Sequence, residues 1–226
     1  PGSLKPTQAA NVPIYGVPSD LIVVNLDSIY PELKGKRLRG RLEGRVLKPY
    51  DTAETINSNG LNAPVLAWLT DPMDLQFLQI QGSGRVQLDN GRQLRIGYAD
   101  QNGHPYKPIG RWLVEQGELK KEDVTMGTIH AWAMANPQRV HEMLASNPSY
   151  VFFREVPLGD PNAGPVGALG VPLTPGYSVA VDPRFIPLGA PLVISSEHPV
   201  SGAPLRRLML AQDTGGAIRG AVRADY

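Results

Sequence analysis

The stretch Ala211-Gln-Asp-Thr-Gly-Gly-Ala-Ile-Arg-Gly-Ala-Val-Arg-Ala-Asp-Tyr226 decides how the rest of the chain is read. It begins at the end of the apolar run Leu208-Met209-Leu210-Ala211, so Asp213 falls where a strand ends and side chains turn toward a groove. Thr214 and Gly215-Gly216 permit a tight turn with close backbone approach. Beyond the turn, Asp225 stands beside Tyr226, whose ring would desolvate it. Two carboxylates flanking a saccharide groove are the equipment of general acid–base chemistry. An aspartate before a glycine pair also serves as a plain turn former that accepts backbone hydrogen bonds. The residues alone leave both readings open.

Composition narrows the function classes. The chain has 226 residues, 42% of them apolar, enough for one large or two small domains with a filled core. Its formal net charge of +1 gives no electrostatic case for nucleic acid as a partner. His104, His130, His141 and His198 lack the spacing of zinc ligands, so no metal or other cofactor is expected. With no cysteine there is neither thiol catalysis nor a disulfide framework. No apolar run reaches membrane-spanning length, and Pro1-Gly-Ser-Leu does not read as a signal peptide; an export signal or lipid anchor would belong to a precursor.

Twenty-two prolines and 24 glycines, spread along the chain, cut it into short segments of the kind that build barrels. Strands are predicted at 21–26, 38–42, 44–47, 75–80, 85–88, 93–98, 177–181, 191–194 and 205–210. Leu88-Asp89-Asn90-Gly91-Arg92 has the chemistry of a hairpin turn between two of them. Helices are predicted at 52–57 behind Asp51 as cap, at 109–115, at 124–135, and at 137–145 behind Asn136. Most helical signal therefore lies in the middle of the chain, the last third is strand and turn, and the change near Phe152-Phe153 suggests a domain boundary.

Two central motifs suit a sugar. Gln79-Ile-Gln-Gly-Ser-Gly84 reads as a strand ending in a polar turn, whose backbone N–H groups and Gln81 amide would meet hydroxyl or acetamido groups; an ordinary glycine hairpin is the plain alternative. Tyr98-Ala-Asp-Gln-Asn-Gly-His-Pro-Tyr106 concentrates aromatic faces and amides, which respectively cover sugar C–H surfaces and satisfy hydroxyls. An Asx-type turn with both tyrosines packed on the core fits equally. No dinucleotide fingerprint, phosphate loop or nucleophile elbow is present.

Seven strings carry a family resemblance: Ile80-Gln-Gly-Ser-Gly84; Gln101-Asn-Gly-His-Pro-Tyr106 with Ile109-Gly-Arg111; Asn147-Pro-Ser-Tyr-Val-Phe-Phe-Arg154; Gly164-Pro-Val-Gly-Ala168; Pro172-Leu-Thr174; Ala180-Val-Asp-Pro183 with Ile186-Pro-Leu-Gly189; and Gln212-Asp-Thr-Gly-Gly-Ala-Ile-Arg-Gly220. Together they closely resemble the membrane-bound lytic transglycosylase A family of Gram-negative bacteria, with a carboxy-terminal three-aspartate domain whose namesakes fall on Asp182, Asp213 and Asp225. The resemblance implies an all-β dominated fold: a double-psi β-barrel from residues 1–22 and 159–226, an inserted β-rich domain with a few helices at 23–158, and a groove between them. It also implies cleavage of the MurNAc-GlcNAc β-1,4 bond of peptidoglycan without water, leaving a 1,6-anhydro-MurNAc end, on the periplasmic side of the outer membrane with a lipid anchor in the precursor.

By the same resemblance Asp225 is the single catalytic acid and base, while Asp213 and Asp182 tune and orient. Gln81, Ser83, Gly84, Tyr98, Gln101, Asn102 and Tyr106 are expected in the substrate groove, and Arg85 or Arg219 would meet substrate carboxylates. Family members carry a Gly-Tyr-Tyr-like segment before the position of Pro1 and an aromatic-x-Gly segment after the last aspartate. A companion chain that completes the barrel, and other cell-wall enzymes, are therefore possible partners beside peptidoglycan strands. A glycan-binding module without catalysis and a hydrolase with paired carboxylates are the rival readings.

Overall fold

The computed structural model describes residues 1–27, 29–33, 36–157, 163–198, 201–216 and 218–226. Positions 158 and 159, where the expected barrel boundary falls, lie outside the described residues, as does Ala217 of the terminal motif. The chain folds as two compact units, Pro1–Pro157 and Leu158–Tyr226. The change suggested near Phe152-Phe153 falls a few residues before this division, and both rings are buried in the core of the first unit.

In the first unit, β1 (Gly2–Ser3) and β2 (Val12–Tyr15) precede β3 (Ile22–Asn25), β4 (Arg37–Glu43) and β5 (Val46–Lys48). Then come α1 (Ala53–Asn59), β6 (Val65–Leu69), α2 (Pro72–Gln81), β7 (Ser83–Gln87), β8 (Gln93–Gln101), α3 (Ile109–Glu115), α4 (Met126–Ala135), α5 (Val140–Ala145) and β9 (Val151–Val156). Three antiparallel sheets result, in the orders β1-β6-β2, β3-β4-β5 and β7-β8-β9. The first 22 residues pair, through β1 and β2, with β6 of this same unit. Bridges Gly2–Leu88 and Gly16–Phe153 tie the first sheet to the third. Ile14, Ala67, Ile96, Phe152 and Phe153 fill the space they enclose, with Ile56 from α1 and Leu75 from α2.

One element departs sharply from the sequence expectation. Residues 75–80 are helical, inside α2, and not a strand. Asp71 caps the helix by accepting from the Met73 amide at 2.8 Å, Pro72 opens it, and Gly82 closes it in the left-handed region at φ 74°. Its apolar residues look strand-like because the helix is buried on two sides. Leu75 and Leu78 face the sheet core, whereas Met73 and Phe77 join a second core with Leu113, Ile129, Trp132 and Met143 of α3 to α5. The motif Gln79 to Gly84 thus ends a helix and opens β7. Asp51 also differs from expectation: the cap of α1 is Thr52, and Asp51 pairs with Arg41.

The second unit contains β10 (Ser178–Val181), β11 (Pro191–Glu197), β12 (Pro204–Asp213) and β13 (Ala224–Asp225) in the order β11-β12-β10-β13. β10 runs parallel to β12 and antiparallel to β13, and β11 with β12 forms a hairpin-like pair. Val179, Val181, Met209 and Ala211 are its buried core. No helix occurs here among the described residues. The molecule is accordingly a mixed α/β fold of several sheets with a separate smaller unit. An all-β description fails because α1 to α5 supply one core of the first unit and wall the other.

Candidate functional site

The central strand β10 organises the acids of the second unit. Ala180 is paired with Asp213 on one side and Asp225 on the other, which spaces the two aspartate backbones by about two strand widths, roughly 10 Å. Residues paired across strands share a face, so Ala180, Asp213 and Asp225 point the same way. Val179 pairs with Ala211 and Val181 with Ala224, and these face the buried core. The register shift between Val179 and Ala180 leaves Gln212 as an extra residue in β12. That bulge turns Asp213 off the core face. A pocket of about 220 Å³ opens there, lined by Gly164, Pro165, Thr174, Ser178, Asp213 and Asp225 among others.

Backbone ties fix the surroundings. Asp213 Oδ1 accepts from the Ala168 amide at 3.0 Å, and the Gln212 carbonyl accepts from Leu169 at 3.0 Å. Gly167 must lack a side chain, because a Cβ there would lie 2.4 Å from the Gln212 carbonyl oxygen. Ser178 Oγ donates to Gln212 Oε1 at 2.5 Å, holding the bulge from the other flank.

Asp182 plays a different part. It is fully buried and absent from that pocket's lining. Arg184 grips both its oxygens, Nε to Oδ1 at 3.0 Å and Nη2 to Oδ2 at 2.6 Å, and the Gly220 amide donates to Oδ2 at 3.0 Å. The Arg184 guanidinium first, then the Gly220 amide, hold its carboxyl well below the usual carboxylate range, against the opposing effect of burial. Asp182 thereby pins the loop that leads from Asp213 to Asp225.

Asp225 is not desolvated by its neighbouring ring. Its side chain is 43% exposed, and both oxygens accept from Arg223, Nε to Oδ1 and Nη2 to Oδ2, each at 2.9 Å. Sequence reasoning missed Arg223, although its i,i+2 spacing from Asp225 is the signature of two side chains on one strand face. The same spacing relates Arg184 to Asp182.

In the first unit, Gln81, Ser83, Gly84 and Tyr98 gather where α2 ends and the β7–β8 pair begins. Ser83 pairs with Gly97, the neighbour of Tyr98, and Gly84 with Ile96. Gly84 also marks a close approach, since a Cβ there would sit 2.7 Å from Leu78 Cδ1. Tyr98 is 46% exposed and precedes a bulge at Ala99, where the β8–β9 register shifts. Burial, then the nearby Asp100 charge, raises its phenol pKa. Gln101 closes the far end of β8, and Tyr106 lies exposed in the loop beyond.

Asn102 is committed to the fold. Its amide donates to the carbonyls of Asp51 and Pro148 at 2.8 and 2.9 Å, and its oxygen accepts from Tyr150 and His104 at 2.9 and 3.3 Å. The buried side chain has no hydrogen-bonding capacity left for a ligand. A further pair that sequence reading passed over, Arg39 with Asp100 at 2.6 Å, fastens β4 to β8. Among the described residues, no group of three or more His, Asp or Glu side chains assembles a metal site, and no helix is long and apolar enough to cross a membrane.

A strand-and-turn unit that buries one aspartate and sets two more on a single sheet face is a three-aspartate module, and the family model described as the 3D domain matches residues 177–226. The model described as the MltA specific insert domain matches residues 1–154, and the chain belongs to the MltA family of lytic transglycosylases. It is 36% identical over 199 residues to membrane-bound lytic murein transglycosylase A of Escherichia coli K12, covering 84% of this chain and 51% of that protein. Among solved structures, MltA from Neisseria gonorrhoeae in a monoclinic form superposes with a TM-score of 0.85 at 44% identity, covering 100% of this chain and 63% of that one. E. coli MltA with bound chitohexaose gives 0.75 at 29%, covering 97% and 59%. The chain spans about half the length of the curated relatives it matches.

Proposed function

We propose that the protein cuts peptidoglycan strands at the MurNAc-GlcNAc β-1,4 bond without water and leaves 1,6-anhydro-MurNAc ends. Family membership supports the substrate class, and the observation that carries the chemistry is the placement of Asp213 and Asp225 on one face of β10's sheet, over a common pocket. Asp225, as the acid, gives its proton to the glycosidic oxygen as that bond to MurNAc C1 breaks. The same carboxylate then takes the C6 hydroxyl proton as O6 closes onto C1, so the residue ends as it began. The acid step needs a proton on Asp225 and therefore the opening of its pair with Arg223. Asp213 orients, and Asp182 positions β13 through Gly220.

On this reading residues 159–226 supply the carboxy-terminal part of a double-psi barrel, and Gln81, Ser83, Gly84, Tyr98, Gln101 and Tyr106 belong to the glycan groove. The setting is the periplasmic face of the outer membrane, with a lipid anchor in the precursor. Other cell-wall enzymes, and a chain completing the barrel, are its proposed protein partners.

One observation favours a binding module instead: Asp225 is exposed and held by Arg223 rather than poised in an apolar setting. Sacculi incubated with the protein in heavy-oxygen water separate the cases by mass spectrometry. Anhydro-muropeptides free of the label are expected. Labelled reducing ends would mean hydrolysis, and retention on sacculi with no product would mean binding alone.

A further inference from the structure

A cavity of about 580 Å³ in the first unit is lined by none of the residues placed in the glycan groove. β2, α1, β6, α2 and α5 enclose it. Its depth is apolar, with Ile56 and Leu75 buried at the bottom and Val12, Val140 and Leu144 half-buried along the walls. Into this setting α2 brings two amides. Gln76 is 94% buried by its 6% exposure, and its Nε2 has no hydrogen-bond partner; the buried Nε2 of Gln79, one turn on, has none either. A buried amide donor without an acceptor costs about 1–3 kcal/mol. The fold tolerates two of them one helical turn apart, shut off from solvent, in residues that line the cavity.

We infer that this cavity is a second saccharide site, built for a 2-acetamido pyranose unit. On a turn of the Gln76 side chain into the cavity, an acetamido carbonyl supplies the acceptor that its Nε2 lacks, and the acetamido methyl group meets the apolar wall. Trp68, half-buried in the lining, offers a ring for the C–H face of the sugar. The exposed Asn57 and Glu54 stand at the rim, where hydroxyls emerge. A cavity of this volume lies within the range of small-ligand sites, about 300–1,000 Å³. The choice of sugar rests on the glycan reading above, but the site shares no residue with it. Occupancy here would retain a glycan strand without engaging the aspartates.

The test is an isotope-edited NMR titration of the protein with N,N′-diacetylchitobiose, and with cellobiose as the disaccharide lacking acetamido groups. Saturable shifts confined to residues 11–15, 54–60, 68–79 and 137–145 are expected with the first and none with the second. Gln76→Leu, which keeps bulk and removes the donor, should weaken binding at least about tenfold. Leu144→Phe, which fills the wall from a different element, should block it, and decides the matter if Gln76→Leu fails to fold. Equal binding of cellobiose, shifts lying elsewhere, no saturation, or undiminished binding by Leu144→Phe would overturn the inference. Sacculus cleavage without binding in this cavity refutes it and leaves the proposed function intact; binding here without cleavage does the reverse.

Discussion

The two units hold their polar chemistry in opposite ways. In the first, two apolar cores of 16 and seven buried residues, counted among the described residues, set the frame, and polar side chains such as Asn102 are drawn into it as clamps. In the second, the buried apolar core is four residues, and the acids are placed by hydrogen bonds: Asp182 to Gly220, Asp213 to Ala168, Ser178 to Gln212. A motif rich in amides can therefore be scaffolding where the core is large. Where the core is small, acids that look like turn formers do hold turns, and one of them is left facing a pocket with a partner arginine.

This contrast can be broken at several points. The largest effect belongs to Asp225→Asn, which keeps shape and removes both proton donor and base. Production of anhydro-muropeptides should fall at least about a hundredfold while sacculus binding survives. Near-normal turnover by Asp225→Asn, with loss in folded Asp213→Asn, would reverse the roles assigned. Next comes Phe152→Ala, expected to cost the first unit about 3–5 kcal/mol by emptying its core. Calorimetry should show that unit's transition shifted and the second unit's unmoved; a common shift would mean that the two do not melt independently.

Asp182→Asn probes the polar frame through pH. The Arg184 and Gly220 contacts lower the folded carboxyl pKa, so their contribution to stability is complete above the ordinary aspartate value of about 3.9 and is lost as pH falls through the lowered folded value. The variant should melt lower at neutral pH and lose part of the acid dependence of the second unit's melting temperature. An unchanged acid slope would remove Asp182 from the account. The smallest effect is expected from Arg223→Gln, which frees both oxygens of Asp225 for substrate. Turnover should rise, by about fivefold at most, the worth of an exposed ion pair. A fall would show that Arg223 orients the acid rather than occupying it.

Local chemistry was legible where it agreed with the final packing. The Asp89-Asn90-Gly91 turn between β7 and β8, the span of α3, and the strand ending at Asp213 all followed from short-range pattern. α2 was read as a strand because burial on two sides erases the helical stripe, leaving only Asp71-Pro72 and Gly82 to mark its ends. The pairing of β1 and β2 with β6, and the clamp joining Asn102 to Asp51 and Pro148, connect residues tens of positions apart, which no local periodicity encodes. In the site, the positions of Asp213 and Asp225 suggested acids near a groove. Their arginine and amide partners required the folded geometry.

The supernumerary Gln212 acts on β12 as a shift of frame. Strand side chains alternate with strict parity, so a β12 that kept Gln212 in the ladder would carry the Asp213 carboxylate through the sheet to the side of Met209 and Ala211; as an extra residue, Gln212 leaves Asp213 opposite Ala180. The connection from 214 to 222 bears no such parity, because β13 takes its own register directly from Ala180 and Val181. Length changes should therefore be unequal in their consequences. Deleting Gln212 would leave the aspartate opposite Ala180 and remove the bulge that Ser178 holds, whereas a residue lost from the 214–222 connection leaves both registers in place and acts through the Gly220 tie to Asp182.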